Sequence, residues 1–392
     1  MVGHRDLGFR VIEEKPLPPL SKSGHNTSTS LGPIDFGVRE HRPDAVPCGQ
    51  GGGWQPVNDP ARVEERTIDE ASGPDNPAHP GGGQPAGLGL SGGQVAIDLR
   101  TGLAALCLNS YFFLFLILGY PPLQKALGDW YGTNVGRTLA AVPVLWIPYT
   151  IYSGATDNFR VVPRLTFALY LLVPVLIVLF TRKLSNRLHW QEWLVALVLW
   201  LPLDFGLMKG VWTWPGGGLA YGMSALVGTC LGVFCVVCLQ GLDGVGYRWR
   251  WRALDWRVAA GYFALYAPVA IGLGLLTGFL QPAEKLASPG ALLPMALGIF
   301  IFIGIPEELL FRGIIQNLLE KAIGRPTVAL GVASLIFGAA HLNNGPSPDW
   351  RYFLLATLAG LVYGRAYAKT RNLMAPALLH TLVDVAWRGF FR

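Results

Sequence analysis

From about residue 100 onward, long apolar runs alternate with short polar connections. Ten apolar stretches follow one another: 102–120, 138–153, 165–181, 191–207, 219–239, 258–280, 291–305 running on to about 322, 327–342, 352–369 and 373–388. Several stand near the ~17-residue lower limit for crossing a bilayer as a helix. The pattern predicts an all-α polytopic integral membrane bundle of about eight to ten transmembrane helices. The range reflects the first two stretches, since 102–120 carries Asn109 and Ser110.

Residues 1–95 follow another pattern. Gly triplets at 51–53 and 81–83, many prolines and scattered charges leave little apolar surface to bury, which predicts a disordered Gly/Pro-rich segment. No charged-then-apolar signal peptide opens the chain. A second expectation is that translation begins downstream. No Met lies between Met1 and Met208, and a non-ATG start near Val95 would leave a conventional membrane protein.

Composition agrees with the bilayer reading: 51% of residues are hydrophobic and 14% charged, with a mean hydropathy of +0.37. Residues 1–95 carry 8 Lys/Arg against 12 Asp/Glu, and the remainder carries 23 against 13. The basic excess lies in alternate loops: Arg182, Lys183 and Arg187; Arg248, Arg250, Arg252 and Arg257; Lys321 and Arg325; Lys369 and Arg371. The intervening loops hold only Lys209, Lys285 and Arg351. That asymmetry assigns the basic loops to the cytoplasm and reads as topology and lipid contact, with no nucleic-acid partner. The block Tyr247-Arg248-Trp249-Arg250-Trp251-Arg252 is read as an interfacial anchor. Five cysteines make no disulfide framework, and Cys235-x-x-Cys238 has no second ligand pair.

One apolar stretch is interrupted by charge. Glu307, Glu308 and Arg312 fall inside 291–322, and each charge at the bilayer centre costs about 2.5–3.5 kcal/mol. Glu308 and Arg312 are i,i+4 and can pair. Glu307 points about 100° away and has no local counter-ion. Either the three form a structural ion cluster, or Arg312 holds Glu308 while desolvated Glu307 serves as a general base.

The next stretches supply partners. Gly324-Arg325-Pro326 reads as a helix stop and a helix start. Glu307 lies 17 residues before Gly324 and His341 lies 15 after Pro326. In antiparallel neighbours they would stand about 25 Å and 22 Å from the turn, at similar depth. Phe337 shares a face with His341. In the last helix His380 and Asp384 are i,i+4, about 13 Å and 20 Å in from Arg371. Polar positions on three helices therefore converge on one polar chamber. Asp204, at the end of 191–207, reads as a structural or interfacial residue, with a place on a substrate path as the alternative.

The pattern Glu307-Glu308-x-x-x-Arg312, Phe337-x-x-x-His341 and His380-x-x-x-Asp384 resembles the three motifs of the CAAX protease and bacteriocin-processing (CPBP) family. That family of intramembrane glutamic endopeptidases includes the Ras-converting CAAX endopeptidase. Phe311-Arg312-Gly313 and Asn372-Leu373-Met374-Ala375-Pro376 fit the flanks. The resemblance covers about residues 260–392, and extends to the helices from 165 as a wider expectation. It implies a metal-independent endopeptidase without cofactor, acting on a peptide or membrane-protein substrate. Glu307 and His341 would activate water, and His380 with residue 384 would hold the oxyanion. Glu308 and Arg312 would shape the site, and Phe337 would pack by His341. Position 384 is commonly Asn in the processing enzymes, and an ionised Asp cannot donate a hydrogen bond. Asp384 is then protonated, or orients His380, or marks a different mechanism.

The expected organisation is 1–95 disordered, 96–257 N-terminal transmembrane helices and 258–392 catalytic core, in the cytoplasmic membrane of a prokaryote. Two His and two carboxylates could form a metal shell by count, but no His-Glu-x-x-His is present. Two other classes compete: a non-proteolytic scaffold or bacteriocin-immunity protein of the same fold, and a transporter using Glu307, His341 and His380 as a proton relay. The transporter would call for an inverted repeat, and the first half has no counterpart of Glu-Glu-x-x-x-Arg.

Overall fold

The computed structural model describes residues 98–181, 190–216, 218–342, 344 and 347–391. The expectations for residues 1–95 and for Arg182, Lys183 and Arg187 lie outside the described residues. Within them, each predicted apolar stretch is a helix. The helices, with α2 in addition to those stretches, are α1 Leu99–Ile117, α2 Pro121–Tyr131, α3 Val135–Ala155, α4 Val161–Thr181, α5 Trp190–Asp204, α6 Gly218–Leu239 and α7 Ala253–Leu276. The last four are α8 Pro289–Ile323, α9 Pro326–His341, α10 Trp350–Thr370 and α11 Met374–Phe390. Among the described residues there is no strand, only an isolated bridge between Pro282 and Phe391. Five helices (α1, α4, α6, α7 and α8) are long and apolar enough to cross a bilayer by themselves.

Local chemistry sets the helix ends. Asp98, Asn134 and Asp349 each accept a hydrogen bond from a first-turn backbone N–H of α1, α3 and α10. Gly324, at φ +68°, ends α8, and Pro326 stands at the first position of α9. Asn109 and Ser110 of α1 donate their side-chain hydrogen bonds back to the Ala105 and Cys107 carbonyls, within the helix itself. The hydropathy pattern does not predict α2. It is short and carries Gln124, Lys125 and Asp129 among its apolar residues, so it packs beside α6 without being a span.

Two hydrophobic cores divide the described bundle. One gathers α1 and α3–α6 around Tyr111, Tyr149, Phe167 and Trp212; the other gathers α7 and α9–α11 around Phe311, Phe337 and Tyr363. Helix α8 contributes to both, which places its charged centre between them. The α9–α10 contact is close because position 338 is glycine: a Cβ there would meet Thr357 Oγ1 at 2.0 Å and the Phe353 carbonyl at 2.8 Å.

The basic loops gather at one end. Arg248 donates to the Arg371 carbonyl, Arg252 to the Thr370 carbonyl, and Arg371 pairs with Glu320 at 2.7 Å. Lys321 pairs with Asp243. The interfacial-anchor reading of 247–252 needs correction. Tyr247 is buried with its hydroxyl on the Phe115 carbonyl, and Trp249 packs on Phe115. The segment is an inter-helix clamp, and only Trp251 retains substantial exposure among its aromatic residues. The described cysteines 107, 230, 235 and 238 are free and buried in helices.

Candidate active site

Helix α8 is not a regular helix at its charged centre. Wide π-type turns run over Phe300–Gly304 and Leu309–Gln316, and Ile305–Glu308 is the regular stretch between them. Pro306 lies in that stretch and has no N–H for the i→i−4 ladder. Such π turns recur at functional sites because they re-aim neighbouring side chains. Here they flank the two adjacent glutamates.

Glu308 and Arg312 are buried, with Arg312 Nη1 donating to Glu308 Oε1 at 3.0 Å. The same oxygen accepts from His380 Nδ1 at 3.0 Å. The Arg312 guanidinium carbon stands 4.2 Å from the centre of the Phe337 ring and 5.2 Å from that of Tyr363, so its charge meets carboxylate and π-faces together. Tyr363 also stacks on the His380 imidazole, with centroids 5.0 Å apart. The local spacing shows the Glu308–Arg312 pair; it does not show that His380 shares it.

Glu307 takes the other side. Its Oε2 lies 3.8 Å from His341 Nε2 and 3.9 Å from His380 Nε2, and is buried without a hydrogen-bond partner. His341 Nδ1 is 2.8 Å from the Phe337 carbonyl. A carbonyl only accepts, so Nδ1 carries a proton, and the ring turns its Nε2 toward Glu307. Asp384 Oδ1 is 3.7 Å from His380 Nε2, and Asp384 Oδ2 is 3.7 Å from Arg388 Nη2. The seven residues singled out in the sequence are thus brought together, from α8, α9 and α11. Tyr363 and Arg388 join them. Arg388 continues the i,i+4 row of His380 and Asp384 and could have been found that way. Tyr363 had no sequence signal, because α10 reads only as an apolar span.

Two cavities meet at His341. One is walled by apolar side chains of α7, α10 and α11, and closes on His341, His380 and Asp384. The other holds Glu307, His341, Asp204, Tyr221 and Asn344. The expected chamber is therefore two-sided, apolar on one flank and polar on the other. Asp204 is exposed at the end of α5 and lines the polar flank. Among the described residues, no three His, Cys, Asp or Glu side chains are grouped as metal ligands would be.

Comparison with known proteins falls on the same helices. Residues 289–386 match a family model described as type II CAAX prenyl endopeptidase Rce1-like. That segment contains Glu307, Glu308, Arg312, Phe337, His341, His380 and Asp384. The uncharacterized protein YpbD of Bacillus subtilis (strain 168) is 30% identical over 95 residues, a stretch that is 24% of this chain and 44% of that protein. The chain thus covers less than half of that relative. No solved structure matches it.

Proposed function

We propose that the Rce1-like segment, residues 289–386, makes this multi-pass membrane chain an intramembrane endopeptidase of the glutamate type. The carrying observation is Glu307 Oε2, buried without a hydrogen-bond partner and facing His341 Nε2 and His380 Nε2 across 3.8 and 3.9 Å. Gaps of that size between polar groups suit one bridging water. A water there donates one O–H to Glu307 and the other to His341.

Glu307 takes a proton as the water oxygen bonds to the carbonyl carbon of the scissile peptide, and the carbonyl π electrons move to its oxygen. His380, with Asp384 beside it, faces that developing oxyanion. When the tetrahedral centre collapses, the C–N bond breaks, and the proton held by Glu307 passes to the leaving amine. The products are a carboxyl and an amine terminus, and Glu307 returns to carboxylate. Arg312 and Tyr363 hold Glu308 and His380 in place. The substrate is a peptide or a membrane-associated protein segment delivered to the chamber, prenylated CAAX proteins being one class.

The test uses the full chain in nanodiscs with a quenched-fluorescent peptide library, comparing wild type with Glu307→Gln, each with and without chelator. Cleavage by wild type, retained with chelator and lost in Glu307→Gln, is the expected result, with a drop of about 10²–10⁴-fold for a lost general base. Equal cleavage by the variant overturns the assignment of Glu307, and loss with chelator overturns metal independence. Absence of cleavage by wild type across membrane-protein and peptide substrates turns the assignment toward a scaffold of the same fold.

A further inference from the structure

Asp384 stands beside the group proposed to meet an oxyanion, yet a carboxylate only accepts hydrogen bonds. The surroundings of His380 give it a different task. At Nδ1 the imidazole meets Glu308 Oε1 at 3.0 Å; at Nε2 it meets Asp384 Oδ1 at 3.7 Å and Glu307 Oε2 at 3.9 Å. Both ring nitrogens face carboxylates. A neutral imidazole has one N–H and one lone pair, so one side would turn a lone pair toward anionic oxygens. Only the doubly protonated ring presents a donor to both.

The charges around it balance on the same condition. Helix α8 supplies Glu307, Glu308 and Arg312; α11 supplies Asp384 and Arg388. Helix α9 supplies His341, whose Nδ1 donates to the Phe337 carbonyl; α10 supplies the stacked phenol Tyr363, and α7 the phenol Tyr266 on the cavity wall. With His380 protonated, three carboxylates face three cations. With His380 neutral, the three carboxylates face only the two arginines as permanent cations, an expensive arrangement in a low-dielectric interior. The pairing is regular: Glu308 is backed by Arg312 and Asp384 by Arg388, each four residues on. Glu307 has no arginine behind it, which leaves it as the carboxylate free to exchange protons with water.

We propose that Asp384 is a positioning residue: its carboxylate holds His380 as an imidazolium, Arg388 offsets the charge it adds, and His380 Nε2–H alone is the donor to the oxyanion. The kinetic part of this proposal rests on the endopeptidase reading; the charge state does not.

The experiment is ¹⁵N NMR of the histidine-labelled full chain in nanodiscs, with His380 identified by His380→Gln. At pH 7, wild type should show both His380 nitrogens protonated. In Asp384→Asn that form should be lost at a pH about one unit lower, and in Arg388→Gln at a pH about one unit higher, as removal of one nearby charge of either sign requires. The alkaline limb of kcat/KM for peptide cleavage should move in the same two directions. A neutral His380 in wild type at pH 7 overturns the proposal, and so does an unchanged transition in both variants. An alkaline limb that rises in Asp384→Asn also overturns it, because that result marks Asp384 as a protonated donor in its own right. If Asp384→Asn does not fold, Arg388→Gln carries the test alone, its side chain being partly exposed. The spectra need no turnover, so a chain that cleaves nothing still tests the charge assignment.

Discussion

Arg312 lies where three requirements cross. It neutralises buried Glu308, covers the Phe337 and Tyr363 rings with its cation, and through Glu308 fixes which way His380 turns. Removing one partner of a buried pair leaves an uncompensated charge, which costs about 3–5 kcal/mol, whereas replacing both by apolar groups is often neutral. Arg312→Ala should therefore lower the stability of the folded chain by that amount in thermal unfolding in detergent. The double replacement Glu308→Met with Arg312→Met should recover most of it. Activity should not recover, because His380 then has no acceptor at Nδ1. A double variant as unstable as Arg312→Ala would mean that ring packing, and not the charge, dominates at this position. The Glu308–Arg312 pair and the isolation of Glu307 were legible, because i,i+4 geometry is local. The Glu308–His380 bond was not, because it joins residues 72 positions apart on helices whose facing edges no local periodicity records.

At the scale of elements, counting rise per residue places side chains most closely where two helices share a turn. Glu307 and His341 were expected at similar depth below Gly324-Arg325-Pro326, and they lie 3.8 Å apart. His380 was expected roughly 10 Å shallower, counting from Arg371. It nevertheless meets both glutamates, because α11 starts below the surface. Asn372 is buried beneath the 247–252 clamp and donates to the Arg250 carbonyl and to Asp255. The positions of α9 and α10 depend on equally specific contacts. Gly338→Leu would drive a side chain into Thr357 and Phe353, separate α9 from α10, and displace His341 from Glu307. It should destabilise by about 1–3 kcal/mol, the usual cost of overpacking, and lower kcat while leaving membrane insertion intact. Wild-type kcat in that variant would show that α9 tolerates a shift. At the start of α10, Asp349 accepts from the Arg351 N–H and guanidinium, and these bonds hold its carboxyl below the usual range. A depressed carboxylate contributes stability above its unfolded pKa and loses it as pH falls through its folded value. Asp349→Ala should thus cost about 0.5–2 kcal/mol at neutral pH, the range for a lost N-cap. The difference from wild type should shrink as pH falls below the free Asp value of about 3.9 and the cap carboxylate is protonated. A difference that persisted in acid would point to packing and not to the cap.

For the described bundle as a whole, the alternation of loop charge predicts that the basic end faces the cytoplasm, and the contacts gather the basic loops at one end. Loops after α6, α8 and α10 interlock at the basic end, while Arg351 ties the opposite loops together by donating to the Gly278 carbonyl. Helix α9 adds a further constraint. With 16 residues it reaches about 24 Å, short of a ~30 Å hydrocarbon core. It stops at His341, level with Glu307, so the backbone after it leaves the helix at chamber depth. Irregular backbone at that depth is tolerated where it is buried in protein or lines a polar cavity, and Asn344 does line the cavity holding Glu307 and Asp204. The polar flank should therefore open toward the end away from the basic loops, which gives the proposed endopeptidase its route for water and substrate to Glu307. Single cysteines read this out against a quiet background, since the four described native cysteines are buried and Cys48 can be replaced by Ser. A membrane-impermeant thiol reagent should label Arg325→Cys only from the cytoplasmic face and Ser347→Cys only from the opposite face. Asn344→Cys should react from the side of Ser347, more slowly than Ser347→Cys because it lies deeper. Labelling of Arg325→Cys and Ser347→Cys from one face would overturn the topology. Labelling of Asn344→Cys from the cytoplasmic face alone would reverse the direction of access and place the entrance among the basic loops.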